Sequence, residues 1–239
     1  MDLRIGVDTG GTFTDIVIAA GGRISTRKLP STPDDPSRAI IDGIRDLLGP
    51  AALVIHGTTV ATNSLLERKG ARTALITTRG FEDVLVIARQ ARRKLYDLRP
   101  APRRPIVERG LSFGLDERMA PGGRPERIPS RADIARLVDA VAASGAEAAA
   151  VSLLHSYANP AHEKAVGREL RRRGIPASIS SSILPEYREY ERASTTAVNA
   201  FLLPVLERYL DALAKAVGRS RLWIMQSNEG TISVRKAKV

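Results

Sequence analysis

The sequence predicts an α/β fold built on a mixed sheet with flanking helices, and three observations carry that prediction. The first third of the chain alternates the two-residue period of strands with the 3.6-residue period of a helix. In the middle, two capped amphipathic helices bracket a short, wholly apolar strand. The first two strands are joined by too few residues for a crossover and must pair antiparallel, whereas strands separated by a helix are free to pair parallel.

Taken in order, Leu3, Ile5 and Val7 face one side of a first strand, Thr9-Gly10-Gly11-Thr12 supplies a turn, and 13–19 resumes as a second strand. Gly21-Gly22 turns into a third strand over 23–29. Asp35 is an N-cap with Pro36 at the first helical position, and Ile40, Ile41, Ile44, Leu47 and Leu48 form one apolar stripe ended by Gly49. Leu53-Val54-Ile55 reads as a buried strand running into His56-Gly57-Thr58-Thr59, followed by a helix over 60–68 and a strand over 72–77.

Between 99 and 129 the composition turns to Pro, Gly and Arg, with only 105–113 extended, so an irregular insertion or hinge is expected there. Ser130 and Asp133 then open a helix faced by Ile134, Leu137, Val138 and Val141 and stopped by Gly145. A buried strand follows over 148–154, and Asn159-Pro160 starts a helix that Gly174-Ile175-Pro176 stops. From about Pro185 a long helix carries Ala193, Ala197, Phe201, Val205, Tyr209, Leu213 and Val217 at every fourth position. Pro204 deletes one of its backbone hydrogen bonds and predicts a kink; a last strand covers 221–225.

Composition narrows the functional classes. The 239 residues, 43% hydrophobic and 26% charged, are those of a globular protein able to bury a core, and 4% aromatic content means that the core is aliphatic. No apolar run approaches the ~20 residues that span a bilayer, and Met1-Asp2-Leu3-Arg4 enters a strand directly, so a cytoplasmic location without membrane attachment is expected. The absence of cysteine excludes disulfides, thiolate catalysis and cysteine-ligated metal in this chain. A net charge of +11 raises nucleic acid as a partner, but the basic clusters around 89–104, at Arg171-Arg172-Arg173 and at Arg235-Lys236-Ala237-Lys238 lack interleaved aromatics apart from Tyr96, which argues against it.

The segment Asp8-Thr9-Gly10-Gly11-Thr12-Phe13-Thr14-Asp15 carries the most chemistry. Adjacent glycines let backbone amides approach an anion closely, Thr9, Thr12 and Thr14 surround the turn with hydroxyls, and an aspartate ending the first strand can hold Mg²⁺ through water. The same spacing equally describes a Gly-Gly hairpin with polar neighbours. It is neither a P-loop nor a strand-to-helix dinucleotide fingerprint, so it requires a different fold. His56-Gly57-Thr58-Thr59 follows a strand and precedes a helix, where open sheets present ligands, although Thr59 as a helix cap and His56 as a packed histidine would give the same pattern. Arg89, Gln90 and Arg92 offer donors to a carboxylate or phosphate. His155 and His162-Glu163 suggest a metal, but the caps place His162 in a first helical turn and favour a structural role. Ser194-Thr195-Thr196 and Asn199 present polar groups on the long helix, able to reach a cleft or to bridge neighbouring elements.

The strand–turn–strand with its acidic residue, glycines and threonines resembles the first phosphate loop of the actin, hexokinase and Hsp70 superfamily. More closely, Gly6 to Asp15 resembles the start of the hydantoinase A, 5-oxoprolinase and acetone carboxylase β-subunit family. So do Lys28-Leu29-Pro30-Ser31-Thr32-Pro33, His56-Gly57-Thr58-Thr59-Val60-Ala61-Thr62-Asn63, Leu153-Leu154-His155-Ser156-Tyr157 and 191–200, in family order. The resemblance implies the N-terminal lobe of an actin-like (ribonuclease H-like) ATPase. It also implies ATP- and Mg²⁺-dependent opening of a cyclic amide or, in one branch, ATP-driven ketone carboxylation; a non-catalytic, partner-binding lobe is the remaining alternative.

By that resemblance Asp8 and Asp15 would be catalytic, handling metal or orienting water, with Asp8 the Mg²⁺ residue. Asp8, Thr9, Gly10, Gly11, Thr12 and Thr14 would hold ATP phosphate, and His56, Gly57, Thr58, Thr59, Asn63 and Arg92 would meet the substrate. The chain departs from the family at Ala91 and Arg93, where asparagine and proline are usual, and at Glu229, where glycine is preferred. Residues 1–184 would form the family's N-terminal domain, with 99–129 irregular, and 185–239 a long helix and the start of a truncated second domain. The missing partner would be a C-terminal half or a companion hydantoinase B-like subunit.

Overall fold

The computed structural model describes residues 3–32, 35–91, 96, 98, 104–226 and 229–237. In chain order the elements are β1 (Leu3–Thr9), β2 (Phe13–Ala20), β3 (Arg23–Pro30), α1 (Pro36–Ile44), β4 (Ala52–Thr58), α2 (Val60–Leu66), β5 (Thr73–Thr78) and α3 (Val84–Ile87). They continue with β6 (Ser112–Leu115), β7 (Arg118–Met119), β8 (Pro125–Arg127), α4 (Arg131–Ala143), β9 (Ala148–Ser152), α5 (Ala161–Arg172), β10 (Ala177–Ile179) and α6 (Ser180–Ile183). The long α7 (Glu189–Val217), β11 (Arg221–Met225), β12 (Thr231–Ser233) and α8 (Val234–Ala237) complete the described chain. Two compact units result, one of Met1–Lys69 with Val205–Val239 and the other of Gly70–Pro204, so the chain passes from one to the other within α7, beside Pro204.

In the first unit the alternation of β1 and β2 becomes a two-sided sheet, ordered β12-β11-β4-β1-β2-β3. Pairing is antiparallel for β1 with β2, β2 with β3 and β11 with β12, and parallel for β1 with β4 and β4 with β11. Gly21 and Gly22 both adopt positive φ, the requirement of the two-residue turn that sets the β2–β3 register. One face carries Ile5, Val7, Ile16, Ile18 and Val54 into a core with Ile40 and Ile44 of α1 and Leu210 and Leu213 of α7. Burying each such side chain stabilises the fold by about 1.5–3 kcal/mol. The opposite pleat bears a row of Trp223, Ile55, Gly6 and Val17 in register across four strands.

The second unit holds a parallel four-stranded sheet, β10-β9-β5-β6, together with the small β7–β8 ribbon. β5 and β9 are buried along their whole length, as expected of strands covered on both faces. Ser130 and Asp133 form a reciprocal capping box on α4, and Asn159 Oδ1 accepts from the Ala161 amide at 3.0 Å ahead of α5.

Three differences from the sequence reading have physical causes. α1 stops at Ile44 and gives way to a 3-10 turn over Arg45–Leu47, so the apolar stripe continues on a tighter helix. The Pro-, Gly- and Arg-rich stretch contains a true strand, β6, whose partner β5 lies far upstream. After the last expected strand the chain turns back as β12 through Glu229 and Gly230, both at positive φ. A side chain at φ +75° is strained, so Glu229→Gly should raise stability by about 0.5–1 kcal/mol, read as a higher urea midpoint at an unchanged slope.

Candidate phosphate-binding site

β1 and β4 run parallel, so the loop after β1 and the turn after β4 emerge at the same sheet edge. Their register pairs Asp8 with Gly57 and Thr9 with Thr58, while β2 places Asp15 opposite Asp8 and β3 places Lys28 opposite Asp15. Gly57, Asp8, Asp15 and Lys28 therefore form one row across four strands on the outer face. A side chain at Gly57 would meet Asp8 Oδ1 at 3.3 Å, so glycine there leaves room for the carboxylate. Two carboxylates directly opposed across strands repel. Lys28 Nζ offsets this on one side, 3.1 Å from Asp15 and 5.0 Å from the Phe13 ring centroid.

The loop itself is held from below by a residue the sequence reading did not assign to the site. The Ser31 amide donates to the Thr12 carbonyl at 2.9 Å and its hydroxyl to the Gly10 carbonyl at 2.8 Å. That hydroxyl proton is committed, so Thr14 Oγ1 must be the donor in its 3.1 Å contact with Ser31 Oγ. Gly10 N closes the turn onto the Phe13 carbonyl at 3.0 Å. The amides of Gly11 and Thr12 find no protein acceptor among the described residues, and a side chain built at Gly11 would meet nothing within 4 Å. Neither Gly10 nor Gly11 has positive φ; space above the loop, and no backbone requirement, is what glycine provides at position 11.

The threonines divide by face. Thr12 is exposed, whereas Thr14 is fully buried on Ser31 and Thr9 is 3% exposed, with its hydroxyl turned into the core. In the second turn Thr58 Oγ1 accepts from the Val60 amide at 3.1 Å, so Thr58 and not Thr59 caps α2 with its side chain. Thr59 Oγ1 instead donates to the Thr9 carbonyl at 3.1 Å and accepts from Asn63 Nδ2 at 3.3 Å, tying the two turns together.

His56 is fully buried, with Nδ1 3.2 Å from the Val7 carbonyl and Nε2 2.5 Å from the Tyr209 hydroxyl. Both ring nitrogens are engaged within the protein, and burial pushes its pKa down to about 4, against the pull of the Val7 carbonyl and the Asp8 carboxylate. The geometry thus gathers Asp8, Gly10, Gly11, Thr12, Asp15, Gly57, Thr59 and Asn63 around one sheet edge. It directs Thr9, Thr14 and His56 inward.

The other candidates belong to residues 70–204. Arg92 falls outside the described residues, and Arg89 Nε donates to Glu191 Oε1 at 2.6 Å in the second unit. His162 Nδ1 contacts Glu117 Oε2 at 2.7 Å and His155 Nδ1 contacts the Tyr157 hydroxyl at 3.2 Å. Thr196 Oγ1 donates back to the Arg192 carbonyl within α7 at 2.7 Å. Among the described residues no three acidic or imidazole groups cluster as a metal cage, and no helix is long and apolar enough to cross a membrane. An exposed carboxylate such as Asp8 beside open amides fits Mg²⁺, which retains water and takes its other ligands from phosphate.

This mixed sheet, led by an antiparallel pair whose connecting loop opens at the sheet edge, has the fold of the N-terminal lobe of actin-like ATPases. The chain belongs to the hydantoinase/oxoprolinase family, and residues 4–174 match its N-terminal region. The caprolactamase subunit alpha of Pseudomonas jessenii is 36% identical over 95% of this chain and 36% of its own length. The acetophenone carboxylase gamma subunit of Aromatoleum aromaticum is 32% identical over 95% of this chain and 35% of its own. The crystal structure of the ATP-dependent caprolactamase from Pseudomonas jessenii superposes with a TM-score of 0.78 at 34% identity, covering 95% of this chain and 36% of that one. The chain thus spans between 20% and 37% of the length of the curated relatives it matches.

Proposed function

We propose that the chain is the phosphate-holding lobe of an ATP-dependent cyclic-amide hydrolase, with the loop over 10–12 as its anion site. The carrying observation is the open pair of amides at Gly11 and Thr12, held in place by Ser31 beneath and bordered by Asp8 and Asp15. ATP with Mg²⁺ supplies a phosphoryl group that activates an otherwise inert amide oxygen, chemistry that depends on positioning and charge stabilisation.

In this reading the Gly11 and Thr12 amides and the Thr12 hydroxyl bind phosphate, and Thr9, Thr14 and Gly10 shape the loop. Asp8, free of the ion pair that occupies Asp15, is the carboxylate available to Mg²⁺ or an attacking group. Gly57, Thr58, Thr59 and Asn63 lie at and just after the neighbouring turn, on which a cyclic amide would rest. The 32% identity to an acetophenone carboxylase subunit supports a second reading, a lobe of an ATP-dependent carboxylase, in which the phosphate site has the same role.

In the intact protein, Gly11→Val should weaken Mg-ATP binding at least about tenfold with an unchanged far-ultraviolet spectrum, because the added side chain takes space the phosphate needs. Asp8→Ala should lower turnover by about a hundredfold while moving the Mg-ATP dissociation constant only a few-fold. Calorimetric titration and phosphate release measure the two effects. If both variants behave like the unaltered protein, the loop has no part in the mechanism.

A further inference from the structure

On the buried side of the sheet, a run of polar groups below the phosphate loop joins β1, β4 and the C-terminal part of α7. The Val7 carbonyl can only accept, so the proton of His56 lies on Nδ1. At neutral pH the imidazole then has a lone pair at Nε2, and the Tyr209 hydroxyl must donate to it across 2.5 Å. Burial keeps that phenol protonated, with a pKa pushed up to about 12 despite the hydroxyls of Thr58 and Thr9 beside it. Thr9 Oγ1 is buried there without completing a hydrogen bond. The protons of His56 and Tyr209 therefore each have one place at neutral pH.

The run is attached where position matters. Val7 precedes Asp8 and His56 precedes Gly57, and the Asp8 carboxylate lies so close over Gly57 that a Cβ there would meet Asp8 Oδ1 at 3.3 Å. A hydrogen bond that fixes the two strand ends fixes the carboxylate. A solely packed contact would not, since Tyr209 lies in an aliphatic core where a ring has several tolerable seats.

We propose that Tyr209 is a positioning residue for the phosphate site: through His56, its hydroxyl sets the placing of the β1 and β4 ends and hence of Asp8 against the 57–59 turn. The inference rests on the reading of the loop as the ATP-phosphate site.

The test uses the intact protein. Tyr209→Phe keeps the ring, which is 7% exposed, and removes only the donor. Ile44→Val, at a fully buried position of the same core, serves as a stability control. Mg-ATP affinity, melting temperature and phosphate release with caprolactam, 5-oxoproline or acetophenone, whichever the protein turns over, are measured well below each melting point. Tyr209→Phe should lose at least about tenfold in kcat with KM for Mg-ATP within about threefold, while Ile44→Val keeps kcat within about twofold at a comparable melting loss. His56→Gln, whose amide oxygen can accept from Tyr209, should retain more kcat than His56→Leu, and this comparison decides the matter if Tyr209→Phe does not fold. No Mg-ATP response from the unaltered protein would overturn the phosphate-site reading itself. A normal response there, with Tyr209→Phe no worse than Ile44→Val or His56→Gln no better than His56→Leu, would overturn the positioning role alone.

Discussion

Glu163→Ala is expected to destabilise the 70–204 unit by about 3–5 kcal/mol, the cost of orphaning the buried donors that its carboxylate serves and of removing one of the two carboxylates near the buried Arg192. Glu163 is fully buried and accepts from the Leu153 amide at 2.9 Å, the Ser180 hydroxyl at 2.6 Å and the Ser181 amide at 2.9 Å, with Arg192 Nη1 at 3.9 Å. Arg192 is itself fully buried; it donates to the Leu153 carbonyl at 2.7 Å and to the hydroxyls of Ser156 and Ser180, and pairs with Glu189. Alanine would orphan two amides and leave the guanidinium facing Glu189 alone, with its Nε already unpartnered. Hydrogen exchange of the β9 amides as a function of urea reads the effect in the right unit. A loss below about 1 kcal/mol would mean that water or rearranged neighbours satisfy these groups.

Acid should unfold the other unit through His56. Its folded pKa of about 4 lies below the ordinary 6.5, so between those values the unfolded chain binds a proton that the folded chain does not. Stability from this group is complete above pH 6.5, falls by up to about 1.4 kcal/mol per pH unit on acidification, and about 3 kcal/mol is gone by pH 4. The contribution is isolated by the change in unfolding free energy between pH 7.5 and 4.5, compared for the unaltered protein and His56→Gln. The unaltered protein should lose about 2 kcal/mol more than the variant; parallel losses would place the acid sensitivity elsewhere.

What could be read from the sequence was local. Asp35 with Pro36, Ser130 with Asp133, and Asn159 with Pro160 each declare a helix start through a side chain and a neighbour, and all three helices form there. β6 was half legible: the extended reading over 105–113 reaches Phe113, but Ser112-Phe113-Gly114-Leu115 has little strand pattern of its own and gains its pairing from β5. Within the site, the loop over 8–15 announced itself through its glycines. Lys28 could have been placed by counting back from the Gly21-Gly22 turn, since a two-residue hairpin fixes every later cross-strand pair. Tyr209 could not. In a helix it reads as one more apolar fourth residue, and its hydroxyl gains meaning only from His56, 153 positions earlier in the chain.

The single tryptophan, Trp223, stands 39% exposed on β11 in register with Ile55. Its row crosses the outer pleat two residues along the strands from the row that carries Asp8, roughly 7 Å at the rise of a β-strand. The molecule therefore carries its one indole on the face where ligand is expected, and no tryptophan in the 70–204 unit. Emission at that indole times events in the six-stranded sheet, and tyrosine absorbance weights the 70–204 unit, which holds four of the five tyrosines, so the two channels of one stopped-flow trace sample the units unequally.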